Sequence, residues 1–130
     1  MRVVFDTNIY VSAFVIQRGL AEKAMLRIIE GADALLISKD ILDELLSTLA
    51  RKFSRDIDEL SRVAVVLTEM AEMIKTESRL KALKDDPDNR ILECAADGRA
   101  DLIVTGDKDM LQLKDYKGIK IISLRSYLEM

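Results

Sequence analysis

Hydrophobic and polar positions along the chain form short blocks that predict strands separated by helices. Four blocks are short runs rich in β-branched and other apolar residues, which is the pattern of buried strands. They are Arg2–Phe5, Leu35–Ile37, Leu102–Val104 and Ile119–Ile122. A further strand near Glu72–Thr76 is left open, because the pattern equally allows the preceding helix to continue through Ile74.

Apolar residues at spacings of three and four predict the helices. One stripe runs from Leu20 to Ile29, and Gly31 is placed to end that helix. A second runs from Ile41 to Leu49 after Ser38, a favoured N-cap residue. The remaining helices cover Asp56 to about Met70, about Asp88 to Arg99 with an end near Gly98, Asp107–Leu113, and the C-terminus. Asp85–Asp88 is predicted as a turn, because the residue before a proline is biased out of the helical conformation.

Strands that alternate with helices favour a parallel sheet with helices on both faces. We therefore predict an α/β fold, a three-layer α/β/α sandwich with a central parallel sheet of four to five short strands. A chain of 130 residues is expected to form a single domain, residues 1–130. The composition, 49% apolar and 33% charged, is that of a globular protein.

The cytoplasm is the expected location, without a membrane contact. No apolar run is long enough to cross a bilayer, and the first residues lack the pattern of a signal peptide. The one cysteine, Cys94, fits a reducing compartment and cannot form an internal disulfide.

The chain contains no histidine, which excludes a Ser-His-Asp triad, a histidine general base and a histidine-ligated zinc site. Any metal must be a hard cation held by oxygen ligands, which points to Mg²⁺ or Mn²⁺. The formal net charge of −3 is unusual for a nucleic-acid binder, whose surface is normally basic. A nucleic-acid binder of this charge would need its acidic excess gathered at one site and offset by metal.

Two acids follow predicted strands. Asp6 comes directly after the first strand, and Asp107 follows Leu102–Val104 in the segment Thr105-Gly106-Asp107. Both therefore belong to the carboxyl edge, where open α/β sheets bind their ligands. Aspartate is also a favoured helix N-cap and both positions precede helices, so capping alone would explain either residue.

Two further acids lie on predicted helices. Asp88 is in line with the core-facing residues of its helix. A buried, unpaired charge is costly, so Asp88 is either a cap bonded to backbone N–H groups or a metal ligand. Glu44 lies off the apolar stripe of its helix, and spacing does not distinguish it from Asp40 and Asp43. A solvated helix face would explain all three.

Acids that converge on one sheet edge have a defined chemistry. Several carboxylates cannot all stay ionised there without cations between them. Two divalent ions about 4 Å apart would neutralise them, activate a water and stabilise the leaving oxygen in phosphodiester cleavage. Such a site needs no histidine, because the metal lowers the pKa of the water.

Three stretches of the sequence resemble the PIN domain family, and within it the small stand-alone PIN proteins assigned as toxins of toxin–antitoxin pairs, the VapC-like proteins. The stretches are VVFDTNIYVSAF, LLISKDILDELLSTLARKF and DPDNRILECAADGRADLIVTGDKDML, followed by a closing strand and helix. They cover most of the chain in the expected order. The TGDKDML segment after a DPDN helix start is specific, whereas DTN alone is not.

The resemblance implies an active site of acidic side chains that hold Mg²⁺ or Mn²⁺. Its catalytic and metal-binding acids are Asp6, Glu44, Asp88 and Asp107, with Asp109 as a further metal ligand. Its supporting residues are Thr7 and Asn8 in the first turn and Thr105 beside the site. All four catalytic positions carry an acid.

The resemblance also implies cleavage of RNA in single-stranded or loop regions, a homodimer, and inhibition by a small antitoxin protein. Single-stranded RNA would be held by phosphate contacts and stacking. The candidates for phosphate contacts are Arg51, Lys52 and Arg55 around Phe53, and Arg90 and Lys108 beside the acids. Because a third of the residues are charged, such groups also arise by chance.

Other classes of protein fit less well. A phosphatase of similar architecture needs Asp-x-Asp after the first strand, where this chain has Asp6-Thr7-Asn8. A receiver domain needs a phosphorylatable aspartate at a central strand end, where the chain has Ser38-Lys39. A non-catalytic binding module stays open, because a basic side chain of a partner could dock into the same acidic cleft.

Overall fold

One six-stranded sheet crosses the computed structural model, which describes residues 1–130. In chain order the strands are β1 (Arg2–Phe5), β2 (Ala34–Ser38), β3 (Ala71–Ile74), β4 (Leu102–Val104), β5 (Asp115–Tyr116) and β6 (Ile119–Ile122). Their spatial order is β3-β2-β1-β4-β6-β5. All neighbours pair in parallel except β5 and β6, which pair antiparallel.

Seven helices connect or follow the strands. They are α1 (Thr7–Val15), α2 (Leu20–Ile29), α3 (Lys39–Phe53), α4 (Ile57–Met70), α5 (Asp86–Asp97), α6 (Lys108–Leu113) and α7 (Leu124–Leu128). Ser38 caps α3 by accepting the Ile41 N–H, as predicted from the sequence. None of these helices combines the length and the apolar character needed to cross a membrane.

The two faces of the sheet pack against different helices. On one face, the Phe5 ring lies 5.8 Å from the rings of Tyr10 on α1 and Tyr127 on α7. On the opposite face, Gly98 at the end of α5 lies against Leu36 of β2. Side chains of successive strand residues point to opposite faces, so each face of the central strands is covered. The predicted three-layer α/β/α sandwich is confirmed.

The sheet has six strands instead of the predicted four to five. The segment near 72–76, which the sequence pattern left undecided between helix and strand, forms β3. It brings the number of parallel strands to five. The sixth strand, β5, is only two residues long and has no periodicity that a sequence pattern can reveal. It is joined to β6 by Lys117 and Gly118, whose φ angles of 51° and 86° fit a two-residue hairpin turn.

Helix α5 begins at Asp86, so the prediction of a turn through Asp88 is wrong. Pro87 lies in the first turn of the helix. A proline is tolerated there because the first N–H groups of a helix have no partner within it. Asp88 therefore lies inside α5, and the helix ends at Asp97 directly before Gly98.

Candidate active site

The carboxyl ends of three neighbouring strands are tied together by backbone hydrogen bonds. The Asp6 N–H, just after β1, donates to the Val104 carbonyl of β4 at 2.9 Å. The Thr105 N–H, just after β4, donates to the Ile122 carbonyl of β6 at 3.0 Å. This edge is therefore fixed in position, and residues that follow β1 and β4 lie side by side.

Thr105 connects the two acids at this edge. It is fully buried, and its Oγ1–H donates to Asp6 Oδ2 at 2.6 Å. The same Oγ1 accepts the Asp107 N–H at 3.0 Å. One hydroxyl group thus orients the Asp6 carboxylate and the backbone that carries Asp107.

The start of helix α5 and the residue before it add two more acids to the same place. Asp88, the third residue of the helix, is only 5% exposed. Carboxylate oxygens of Asp85, Asp88 and Asp107 all lie within 4.8 Å of one another. Asp6 is close enough to Asp88 and Asp107 for their charges to interact. We refer to Asp6, Asp85, Asp88 and Asp107 as the acidic cluster.

The acidic cluster carries uncompensated negative charge. Burial, together with the charges of Asp107, Asp6 and Asp85, raises the pKa of Asp88 to about 7. Burial also raises the pKa of Asp6, against the opposing effect of the hydrogen bond from Thr105. None of the salt bridges of the molecule involves a member of the cluster. Asp6 and Asp88, the two buried members, therefore lack the basic partner that buried acids usually have.

The structure separates the acids that cap helices from those that do not. Asp107 caps α6, since its Oδ1 accepts the Asp109 N–H at 2.8 Å and the Met110 N–H at 3.3 Å. Asp6 occupies the N-cap position of α1, but its side chain makes no capping bond. The cap predicted as one alternative for Asp88 is wrong, because Asp88 lies within the helix and Asp85 precedes it.

Glu44 is not one of the carboxylates that lie within 4.8 Å of one another. It is half-buried on α3. A cavity of about 290 Å³ separates it from the start of α5. The cavity is lined by Thr7, Asp40, Ile41, Asp43, Glu44, Asp86, Pro87 and Arg90. Asn8 is exposed in the first turn of α1, and Asp109 is exposed at the start of α6.

The five basic residues proposed from the sequence lie in different surroundings. Arg51 and Lys52 are exposed in the last turn of α3, and Arg55 follows with an ion pair to Glu59 at 2.8 Å. Arg90 is largely buried, its Nη2 donating to the Leu80 carbonyl and lying 3.0 Å from the Glu93 carboxylate. Lys108 is exposed directly after Asp107. Of the five, Lys108 is the exposed cation nearest in sequence to the cluster.

Asp85 is the member of the cluster that the sequence analysis missed. The turn predicted for residues 85–88 separated Asp85 from the helix start at which it lies, next to Asp88. The available signal was its spacing of three residues from Asp88, which places two residues on one side of a helix start.

The family of this chain follows from comparison with known proteins. A family model described as "PIN domain" matches residues 2–109, which include all four members of the acidic cluster. The chain belongs to the PIN domain family. The match ends within α6, so β5, β6 and α7 lie beyond the part that the family model describes.

One sequence relative and one structural neighbour of this PIN domain are informative. The Methanocaldococcus jannaschii protein named "Uncharacterized protein MJ1680" is 28% identical over 119 residues, which are 88% of this chain and 76% of that protein. A chain in the crystal structure of VapBC2 from Rickettsia felis, bound to a DNA fragment from their promoter, has the same fold with a TM-score of 0.68. The match covers 95% of this PIN domain and 98% of that chain, at 16% identity.

Proposed function

We propose that this protein is a divalent-metal-dependent endoribonuclease that hydrolyses phosphodiester bonds in RNA, with Mg²⁺ or Mn²⁺ as cofactor. The observation that carries the proposal is the buried, unpaired carboxylate of Asp88, which faces Asp85 and Asp107 across 4.8 Å or less. A purely structural role does not explain why Asp88 is buried next to three other acids without a basic partner. Membership of the PIN domain family supports the same assignment.

The donor atoms of the cluster fit a hard divalent cation. All of them are carboxylate oxygens, which Mg²⁺ and Mn²⁺ prefer over nitrogen or sulfur ligands. Asp107 Oδ1 accepts both bonds of the α6 N-cap, and its Oδ2 takes no part in them. Burial and the charges of Asp107, Asp6 and Asp85 raise the pKa of Asp88, and a bound cation would offset those charges.

The protein residues have defined tasks in this proposal. Asp6, Asp85, Asp88 and Asp107 would hold the cation, with Glu44 and Asp109 as outer candidates, and Thr105 would orient Asp6 and Asp107. A cation bound there would lower the pKa of a water and stabilise the leaving oxygen of the phosphodiester. Lys108 is placed to contact a phosphate, whereas Arg51, Lys52 and Arg55 would extend the RNA contact along α3.

We further propose that the protein is the toxin of a toxin–antitoxin pair and acts as a homodimer on single-stranded or loop regions of RNA. The VapBC2 complex that shares its fold supports an antitoxin partner. The sequence resemblance to VapC-like proteins supports the homodimer. Sedimentation equilibrium measures the oligomeric state, and a monomer at micromolar concentration would contradict the proposed homodimer.

A calorimetric titration of Mn²⁺ tests the metal site without a choice of RNA. We expect saturable binding to the wild type and an affinity at least about tenfold lower in Asp88→Asn, since ligand changes cost at least as much as changes in the residues that support ligands. Asp58→Asn is the matched control, because Asp58 is exposed in the first turn of α4. It should bind like the wild type.

The same variants then test cleavage. In Mn²⁺ or Mg²⁺ the wild type and Asp58→Asn should cleave single-stranded RNA, and EDTA or Asp88→Asn should abolish cleavage. Equal Mn²⁺ binding by wild type and Asp88→Asn would refute the metal site. A wild type that binds no Mn²⁺ at millimolar concentration would favour the alternative, a non-catalytic module that docks a basic partner in the acidic cleft.

A further inference from the structure

Helix α5 presents a row of polar side chains to the segment of residues 75–84, which connects β3 to α5. The row consists of Asn89, Glu93 and Asp97, four residues apart and therefore on one side of the helix. Asn89 and Glu93 are completely buried. The segment itself has no regular secondary structure, so its backbone groups need partners outside a helix or sheet.

Asn89 makes the contact nearest to the acidic cluster. Its Oδ1 accepts the Leu83 N–H at 2.8 Å, and its Nδ2 donates to the Leu83 carbonyl at 2.8 Å. Both backbone groups of Leu83 are thus held by one side chain. Leu83 precedes Asp85 by two residues, so this contact restrains the backbone directly before Asp85.

The other two residues of the row hold the segment farther from the cluster. Glu93 accepts the Leu80 N–H at 2.8 Å. Asp97 accepts the Glu77 N–H at 2.8 Å, the Ser78 N–H at 3.0 Å and the Ser78 hydroxyl at 2.7 Å. Asp97 therefore makes more hydrogen bonds to the segment than Asn89 does, at the opposite end of the row.

We propose that Asn89 is a positioning residue of the candidate active site. By holding Leu83, it fixes Asp85 beside Asp88 and Asp107 and so sets the affinity of the acidic cluster for a divalent cation. This inference rests on the proposed function of the cluster as a metal site. Residues that orient metal ligands typically change metal affinity 10- to 100-fold when they are removed.

Asn89→Ala and Asp97→Ala form a matched pair for the test. Each releases one end of the same segment, but only Asn89 lies next to Asp85. In a calorimetric titration with Mn²⁺, we expect Asn89→Ala to bind at least about tenfold more weakly than the wild type. Asp97→Ala should stay within about twofold of the wild type, given its distance from Asp85 along the segment. Equal losses of Mn²⁺ affinity in the two variants would mean that the polar row stabilises the fold and that Asn89 has no separate effect on Asp85.

A double-mutant cycle shows whether Asn89 acts through Asp85. If it does, Asn89→Ala should have little effect on Mn²⁺ affinity once Asp85→Ala is present, because the carboxylate that it positions is gone. Additive effects of the two substitutions would refute the positioning role.

Hydrogen exchange of the metal-free protein gives an independent measurement. Asn89→Ala should speed exchange of the amides around Leu83, and Asp97→Ala should speed exchange at Glu77 and Ser78, with β1 protected in both variants. Unchanged exchange around Leu83 would overturn the inference even if the wild type binds Mn²⁺. A wild type that binds no Mn²⁺ would overturn the proposed function, and the assigned role of Asn89 with it.

Discussion

At the scale of single residues, the sequence left the role of each acid ambiguous and the structure divides the roles. Asp107 caps α6 and also belongs to the acidic cluster, whereas Asp6 accepts a hydrogen bond from the Thr105 hydroxyl and makes no capping bond to α1. Asp88 is buried among like charges, and its pKa is raised to about 7. Its ionisation should therefore affect the stability of the protein.

The first prediction concerns the pH dependence that Asp88 contributes. Because the pKa of Asp88 is raised from 3.8 to about 7 in the folded protein, the folded state keeps a proton that the unfolded chain loses between about pH 4 and pH 7. The free energy of unfolding contributed by Asp88 must then fall as the pH rises through this window. Asp88→Asn removes this dependence.

Urea unfolding in EDTA between pH 4 and pH 8 measures this effect. We expect Asp88→Asn to gain stability relative to the wild type as the pH rises, by at most about 1.4 kcal/mol per pH unit. The difference in free energy of unfolding between Asp88→Asn and the wild type should level off above pH 7. If this difference is constant with pH, Asp88 ionises in the folded protein as it does in water.

At the scale of elements, α5 is the helix that combines packing with chemistry. Its first turn carries Asp88, its row of polar side chains holds the segment of residues 75–84, and its end packs on the sheet at Gly98. A Cβ atom on Gly98 would lie 2.8 Å from the Cys94 carbonyl oxygen and 2.9 Å from Leu36 Cδ1. The close approach of α5 to β2 therefore requires a glycine.

Gly98→Ala should destabilise the protein by about 1–3 kcal/mol, the usual cost of overpacking. The contact with the Cys94 carbonyl involves backbone, which cannot move aside as a side chain can. Gly106→Ala is the control, because nothing lies within 4 Å of a Cβ atom at that position. Urea unfolding measures the free energy of unfolding of both variants. Equal values would contradict the requirement for a glycine at position 98.

At the scale of the whole molecule, the acidic cluster joins distant parts of the chain. Its members come from the end of β1, from the start of α5 and from the turn after β4. A cation held by them would bind the folded state and not the unfolded chain, in which these segments are apart. Metal binding should then stabilise the fold as a whole.

Mn²⁺ at 100 times its dissociation constant should raise the free energy of unfolding by about 2.7 kcal/mol. Thermal unfolding should show a higher Tm in Mn²⁺ than in EDTA for the wild type and for Asp58→Asn. The increase should be much smaller for Asp88→Asn at the same Mn²⁺ concentration. An equal increase in Asp88→Asn would place the bound metal elsewhere on the protein.

The sequence by itself determined the order of the main elements and the place of two acids. The four strands could be predicted because buried strands need continuous apolar runs, and α2, α3 and α4 because a buried helix face repeats every three to four residues. Asp6 and Asp107 could be placed at the carboxyl edge because each closely follows a strand that runs parallel to the other.

The tertiary structure alone decided which acids meet. Asp85 joins the cluster because α5 starts two residues before the predicted position, whereas Glu44 lies across a cavity from the start of α5. It also decided that Arg90 is bonded to Leu80 and Glu93. The physical reason is that periodicity reports which face of an element is buried, whereas distances between side chains of different elements depend on how those elements pack.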